Sequence, residues 1–230
     1  MPIQAVEAQR LYRRVADQLG ELIRGGELAA GERLPPERDL ARRLGVSRPV
    51  VREAMVALEI AGLVEIRTGS GIYVRGGTQP FALPDIGPSP FELIAARRMI
   101  EPELAYAAAA AASPGELGEI AEALERMRAA VAAGRDTRAA DRLFHVRIAA
   151  ATRNGVLVSV VDQLWESIFA PIFSRLGARV GLPENQRAAL AEHGRIFEAL
   201  ERRDAAAARE AMRAHLAQVE AILMAGDTAA

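Results

Sequence analysis

Apolar side chains recur at Leu11, Val15, Leu19, Leu22 and Ile23, the three- and four-residue spacing that lays one oily stripe along a helix. The spacing predicts a first helix over residues 7–24, ended by Gly25 and Gly26. Gly31, Pro35 and Pro36 deliver the chain to a short second helix that holds Leu40, Ala41 and Leu44 and stops at Gly45. A third starts at Ser47, a residue suited to capping a helix N-terminus, and turns Val50, Val51, Ala54, Met55 and Leu58 inward. Two helices joined by so tight a glycine-containing turn form a helix-turn-helix, whose second helix fits a DNA major groove. Arg48 and Arg52 are four residues apart and so share the outer face of that helix. Residues 63–67 and 72–74 read as short strands around Thr68, Gly69, Ser70 and Gly71, which predicts a β-hairpin wing.

Residues 78–90 contain four prolines and a glycine, the composition of a semi-rigid linker. Beyond it the pattern is helical, with segments near 91–112, 115–133, 137–152, 155–176, 185–203 and 205–224; Pro171 kinks the fourth, and Asp204 caps the sixth. Six antiparallel helices with short connections make a bundle that can house a site between them. The fold expected is mainly α: a winged helix-turn-helix over residues 1–77, a linker over 78–90 and an all-helical bundle over 91–225.

Composition narrows the setting. Half of the 230 residues are apolar, and cysteine is absent, so neither disulfides nor thiolate metal sites are available. No apolar run reaches the roughly 20 residues that span a bilayer, and a cytoplasmic protein without a membrane segment is expected. Residues 1–77 hold 12 arginines against 10 carboxylates, net +2, whereas residues 78–230 hold 17 against 20, net −3. So mild a positive charge predicts weak non-specific DNA affinity from one domain, which two copies on a two-fold operator would reinforce. Every basic residue is arginine; that suits bidentate contacts to guanine and phosphate, or reflects a GC-rich genome.

All three histidines, His145, His193 and His215, fall in the second half. Asp141 precedes His145 by four residues, so carboxylate and imidazole leave one helical face a turn apart. His193 and His215 each stand eleven residues from Asp204, and an antiparallel hairpin turning there brings them level. Spacing leaves two readings: four ligands for one cation, or an ion pair beside two ordinary histidines. Trp165, Phe169 and Phe173 recur every four residues along the fourth segment and read as core packing, with pocket lining or dimer contact as the alternative.

The stretch LPPERDLARRLGVSRPVVREAMVALEIAGLV, followed by TGSGIYV, resembles the N-terminal domain of the GntR family of bacterial transcription regulators. That resemblance implies that Arg38, Ser47, Arg48, Pro49, Arg52 and Gly69 face double-stranded DNA; Pro49 and Val50 stand where some members carry polar residues, which leaves the operator sequence open. For Arg38 alone, the competing reading is a solvated arginine paired with a carboxylate. RRMIEPELA, ADRLFHVRIAAATRNGVL and AEHGRIFEALERRDAAAAREAMRAHL resemble the FCD ligand-sensing domain of the FadR-type branch of that family. Many such domains hold a divalent metal with an aspartate and three histidines, and the resemblance places these at Asp141, His145, His193 and His215. A donor set of nitrogen and oxygen without sulfur suits zinc or nickel. Arg97 matches an arginine that the family often directs into the pocket, where it would clamp a carboxylate; the competing reading pairs it with Glu101 one turn on. Together the two resemblances imply a ligand-responsive regulator, a repressor, working as a homodimer with a sugar acid or hydroxy acid as effector. The alternative is a metal-dependent hydrolase or isomerase fused to a DNA-binding module. It lacks a dedicated acid or base, with Glu101 and Glu192 the formal candidates, so the chain is expected not to be an enzyme.

Overall fold

A computed structural model describes residues 10–75, 84–181 and 185–225. Residues 7–9 of the expected first helix, 76–77 of the expected first domain and 78–83 of the expected linker lie outside this range, as do residues 182–184 between the fourth and fifth expected segments. The described residues gather into two compact units, one of residues 10–90 with 170–176, the other of residues 91–169 with 177–225.

In the first unit, α1 (Leu11–Arg24) buries Tyr12, Val15, Ala16, Leu19 and Ile23 against its neighbours. Leu11 is instead 44% exposed. Its place in the buried stripe goes to Tyr12, whose hydroxyl donates to the Gly87 carbonyl at 2.8 Å. Helix α2 (Glu37–Leu44) ends at Gly45, which takes the left-handed conformation at φ 66° that a β-carbon disfavours, and α3 (Arg48–Ile60) follows. Ser47 stands at the N-cap of α3 in an extended conformation, but its side chain makes no capping bond. Val51, Ala54, Met55 and Leu58 are fully enclosed. Strands β1 (Val64–Arg67) and β2 (Gly71–Val74) pair antiparallel, with Val64 opposite Val74 and Arg67 opposite Gly71. The segment before α2 adds a partial third strand: Gly31 and Leu34 donate to the Val74 and Ile72 carbonyls, both at 2.8 Å.

The proline-rich stretch does more than span a gap. Arg10 donates to the Gly87 carbonyl at 2.6 Å, and the Ser89 hydroxyl meets the buried Glu53 carboxylate on α3 at 2.5 Å. The Ile172 N–H donates to the Ile86 carbonyl at 3.0 Å, and Arg175 pairs with Glu59 of α3 at 3.1 Å.

The second unit is built from α4 (Pro90–Ala111), α5 (Pro114–Ala132), α6 (Arg138–Ala150), α7 (Gly155–Glu166), the end of α8 (Pro171–Arg179), α9 (Gln186–Glu201) and α10 (Ala205–Ala225). The fourth predicted segment is thus two helices, divided by a tight turn over Ser167–Phe169. Pro171 opens α8 rather than kinking a continuous rod, because a missing N–H does no harm in a first helical turn. Trp165 and Phe173 consequently sit on different helices, and Phe169 between them is 41% exposed. Ile120, Leu124, Phe144, Ile148, Ile196 and Leu216 centre the core. The ends are set locally: Ser113 and Glu116 form a reciprocal capping box, Asn154 caps α7, and Asp204 Oδ1 accepts the Ala207 N–H at 3.0 Å. No single helix among the described residues is long and apolar enough to cross a membrane.

Candidate metal centre and DNA-facing surface

On the first unit, Arg38 projects from the first turn of α2 and is exposed, as are Ser47 and Arg48 at the start of α3; Pro49 is half-buried. Gly69 lies exposed at the wing turn with φ 71° and open space where a side chain would begin. Arg52 departs from the outward face expected of it. Only 6% exposed, it donates to Glu37 from Nη2 at 2.9 Å and from Nε at 3.2 Å. The start of α2 lies over this turn of α3, so the four-residue spacing from Arg48 does not carry Arg52 to the surface. Two further arginines were not read from the sequence. Arg33 is exposed and crosses Gly71, where an added β-carbon would stand 2.6 Å from its Nε, and Arg67 lies 4.5 Å over the Tyr73 ring. Alternation along the hairpin gave no hint of either.

In the second unit, α6 contributes Asp141 and His145, α9 His193 and α10 His215, and all three imidazoles are buried. His145 and His193 meet through their Nε2 atoms at 3.2 Å. Asp141 Oδ1 lies 3.3 Å from the first of these atoms and 3.0 Å from the second. One ring nitrogen from each histidine falls within 4.8 Å of the other two. The three histidines are therefore brought together, with Asp141 Oδ1 beside two of them.

Behind the rings stands a second layer. His193 Nδ1 is 2.7 Å from the Ala189 carbonyl one turn earlier, His145 Nδ1 is 2.5 Å from Glu101 Oε2, and His215 Nδ1 is 2.9 Å from Glu192 Oε2. A carbonyl only accepts, so His193 carries its proton on Nδ1. Burial alone would raise the Glu101 carboxyl, but the Arg97 guanidinium and His145 outweigh it and bring the pKa down to about 2. Glu101 is ionised and stands in ion-pair contact with His145, whose imidazole is lowered by burial but raised above its ordinary value by Glu101 and then Asp141. Burial, then the neighbouring His193 and His145, hold His215 well below the usual imidazole range, so it is neutral. Asp141 is also raised by burial, yet His193 and His145 more than reverse this and hold it well below the usual carboxylate range.

Asp141 Oδ1 and the Nε2 atoms of His145 and His193 thus face one another across a small space. Asp141 Oδ1 is buried without a hydrogen-bond donor. A buried carboxylate oxygen without a donor, beside converging imidazole nitrogens, suits a cation. Ligand atoms about 2.0–2.1 Å from one tetrahedral zinc ion stand about 3.3–3.4 Å apart, and the three separations between Asp141, His145 and His193, at 3.3, 3.0 and 3.2 Å, come close to that spacing. The residues present fit a divalent metal.

Arg97 borders the site. It is 2% exposed, donates to Glu101 from Nε at 2.7 Å, and lies with its guanidinium carbon 4.1 Å over the Trp165 ring. The Trp165 ring is in turn 4.9 Å from that of His145, and Phe144 presents edge-on contacts to His145 and His193 at 5.6 and 5.0 Å. The pair with Glu101 exists, but it is buried rather than solvated, and it lies in the wall of the histidine cluster. Glu101 and Glu192, formal acid–base candidates in the sequence, stand behind imidazoles. Ala189 and Phe144 carried no sequence signal, since a backbone carbonyl and a core ring look the same everywhere.

Residues 11–74 match the family described as bacterial regulatory proteins, gntR family, and residues 92–218 match the FCD domain. The Uxu operon transcriptional regulator of Escherichia coli (strain K12) is 39% identical over 230 residues, covering 96% of this chain and 89% of that one. The Uxu operon regulator of Haemophilus influenzae is 35% identical over 217 residues, 92% and 81% of the two chains. Among solved structures, the Streptococcus agalactiae GntR protein aligns with a TM-score of 0.50 at 26% identity, over 91% of this chain and 99% of that one.

Proposed function

Because the chain belongs to the gntR family of bacterial regulatory proteins and is a DNA-binding transcription regulator with an FCD domain, we propose that it is a repressor controlled by a small organic acid. In this reading Asp141, His145, His193 and His215 hold a divalent metal, zinc or nickel, beside which the acid binds. The observation that carries it is the convergence of Asp141 Oδ1 with the Nε2 atoms of His145 and His193, with the Glu101 carboxylate beside His145 Nδ1 and the Ala189 carbonyl beside His193 Nδ1.

When bound, the metal supplies positive charge and coordination positions for carboxylate and hydroxyl oxygens. The chain does the rest. Burial of the rings excludes competing water, Phe144 fixes two ring planes, and Arg97 offers the N–H groups that Glu101 does not occupy to the carboxylate of a sugar acid or hydroxy acid. Arg38, Ser47, Arg48, Pro49 and Gly69 form the DNA face, with Arg52 held behind it by Glu37. A homodimer places two such faces on successive half-sites of an operator. The acid changes operator affinity to the extent that it prefers one DNA-binding state of the dimer over the other.

A metal-dependent hydrolase is not favoured: relatives matched over nearly the full length are named as regulators. Elemental analysis of protein purified without a histidine tag tests the reading. One zinc or nickel per chain, lost in Asp141→Ala, is the expected result, and no metal in the wild type would overturn it.

A further inference from the structure

We propose that Glu101 is a positioning residue for the metal, holding His145 in the form that leaves Nε2 as the ligand atom, and that it ties this ligand to the arginine that receives the acid. The inference rests on the metal reading above and concerns the side chains behind the ligands.

Glu101 is 2% exposed on α4 and divides its oxygens between two partners. Oε2 lies 2.5 Å from His145 Nδ1, and Oε1 receives Arg97 Nε at 2.7 Å. Arg97 covers the Trp165 ring at 4.1 Å, and Trp165 returns to His145 at 4.9 Å between ring centres. His145, Glu101, Arg97 and Trp165 thus close a circuit from three helices, α4, α6 and α7. A carboxylate held against Nδ1 of an imidazole restrains the ring and directs Nε2 to the metal. The three supports are unequal. His193 leans on a neutral carbonyl, and the Glu192 side chain behind His215 is 13% exposed, against 3% for Glu101. Glu101 is the more buried of the two carboxylates. Its other oxygen sets the second consequence: an acid drawing on the Arg97 guanidinium acts on the carboxylate that orients His145, so occupancy of the two places is linked.

The test measures zinc affinity by competition with a chromophoric chelator, and the visible spectrum of the cobalt-loaded protein, for wild type, Glu101→Gln and the double variant Arg97→Met with Glu101→Met. The double variant removes both buried charges together, so neither is left without its partner. Zinc affinity about 10–100-fold weaker in Glu101→Gln and in the double variant is expected, with altered cobalt bands. A pair that only braces α4 would move the apo-protein melting temperature and leave zinc affinity and cobalt bands as they are. That result, in either folded variant, overturns the inference. A wild type that binds neither zinc nor nickel would overturn the metal reading itself, which is a different outcome.

Discussion

A guanidinium with 7% of its side chain exposed and a carboxylate with 9% exposed form the Arg52–Glu37 pair, and this decides what each arginine of the DNA unit is for. Breaking such a pair from one side leaves an uncompensated buried charge, which costs about 3–5 kcal/mol. Arg52→Ala is therefore expected to lower stability in urea unfolding, with Arg52→Met combined with Glu37→Met recovering most of it; equal stability of Arg52→Ala and wild type would sink this. Exposed Arg48 has no such duty. Arg48→Ala is expected to weaken operator binding by about 1–3 kcal/mol at unchanged melting temperature. A gel shift showing wild-type affinity would take Arg48 off the DNA face. The sequence revealed the type and spacing of these arginines but not their burial, because the cover over Arg52 comes from fifteen residues upstream. The histidines were more legible. Asp141 and His145 are a helical turn apart, and His193 and His215 flank a turn symmetrically, so local geometry alone aligned them. The role of Glu101, 44 residues before His145, appears only when α4 and α6 meet.

Among the helices, the start of α5 is fixed by Ser113 and Glu116, whose reciprocal bonds measure 3.3 and 2.6 Å. Removing such a cap by Ser113→Ala is expected to cost about 1 kcal/mol in chemical unfolding. The backbone N–H of Ser113, then its hydroxyl, hold the Glu116 carboxyl below its ordinary 4.5. A carboxyl lowered in the folded state contributes stability that is full above the unfolded value and fades as pH falls through the folded one. Glu116→Gln keeps the bond without the charge. Melting curves taken from about pH 5 to about pH 3 should fall less steeply for this variant than for wild type, and parallel curves would count against the assignment. Elsewhere, element boundaries were legible where a residue ends a helix by its own chemistry, as at Gly45 and Asp204. The break between α7 and α8 was not. Trp165, Phe169 and Phe173 keep the helical period across it, so hydrophobic spacing reads as one rod, and only the backbone shows the tight turn at Ser167–Phe169.

For the whole molecule, a metal bound only by the folded chain is a source of stability. Dialysis against a chelator is expected to lower the melting temperature and zinc to restore it, and free zinc at a hundred times Kd corresponds to about 2.7 kcal/mol. A melting temperature indifferent to both treatments would remove the cation from the account of folding. The buried pair of Arg97 and Glu101 has a further bearing, on the history of the gene. Neither codon can drift alone without stranding a charge inside the bundle, and exchanging both would remove the support behind His145, so the two residues are expected to persist together.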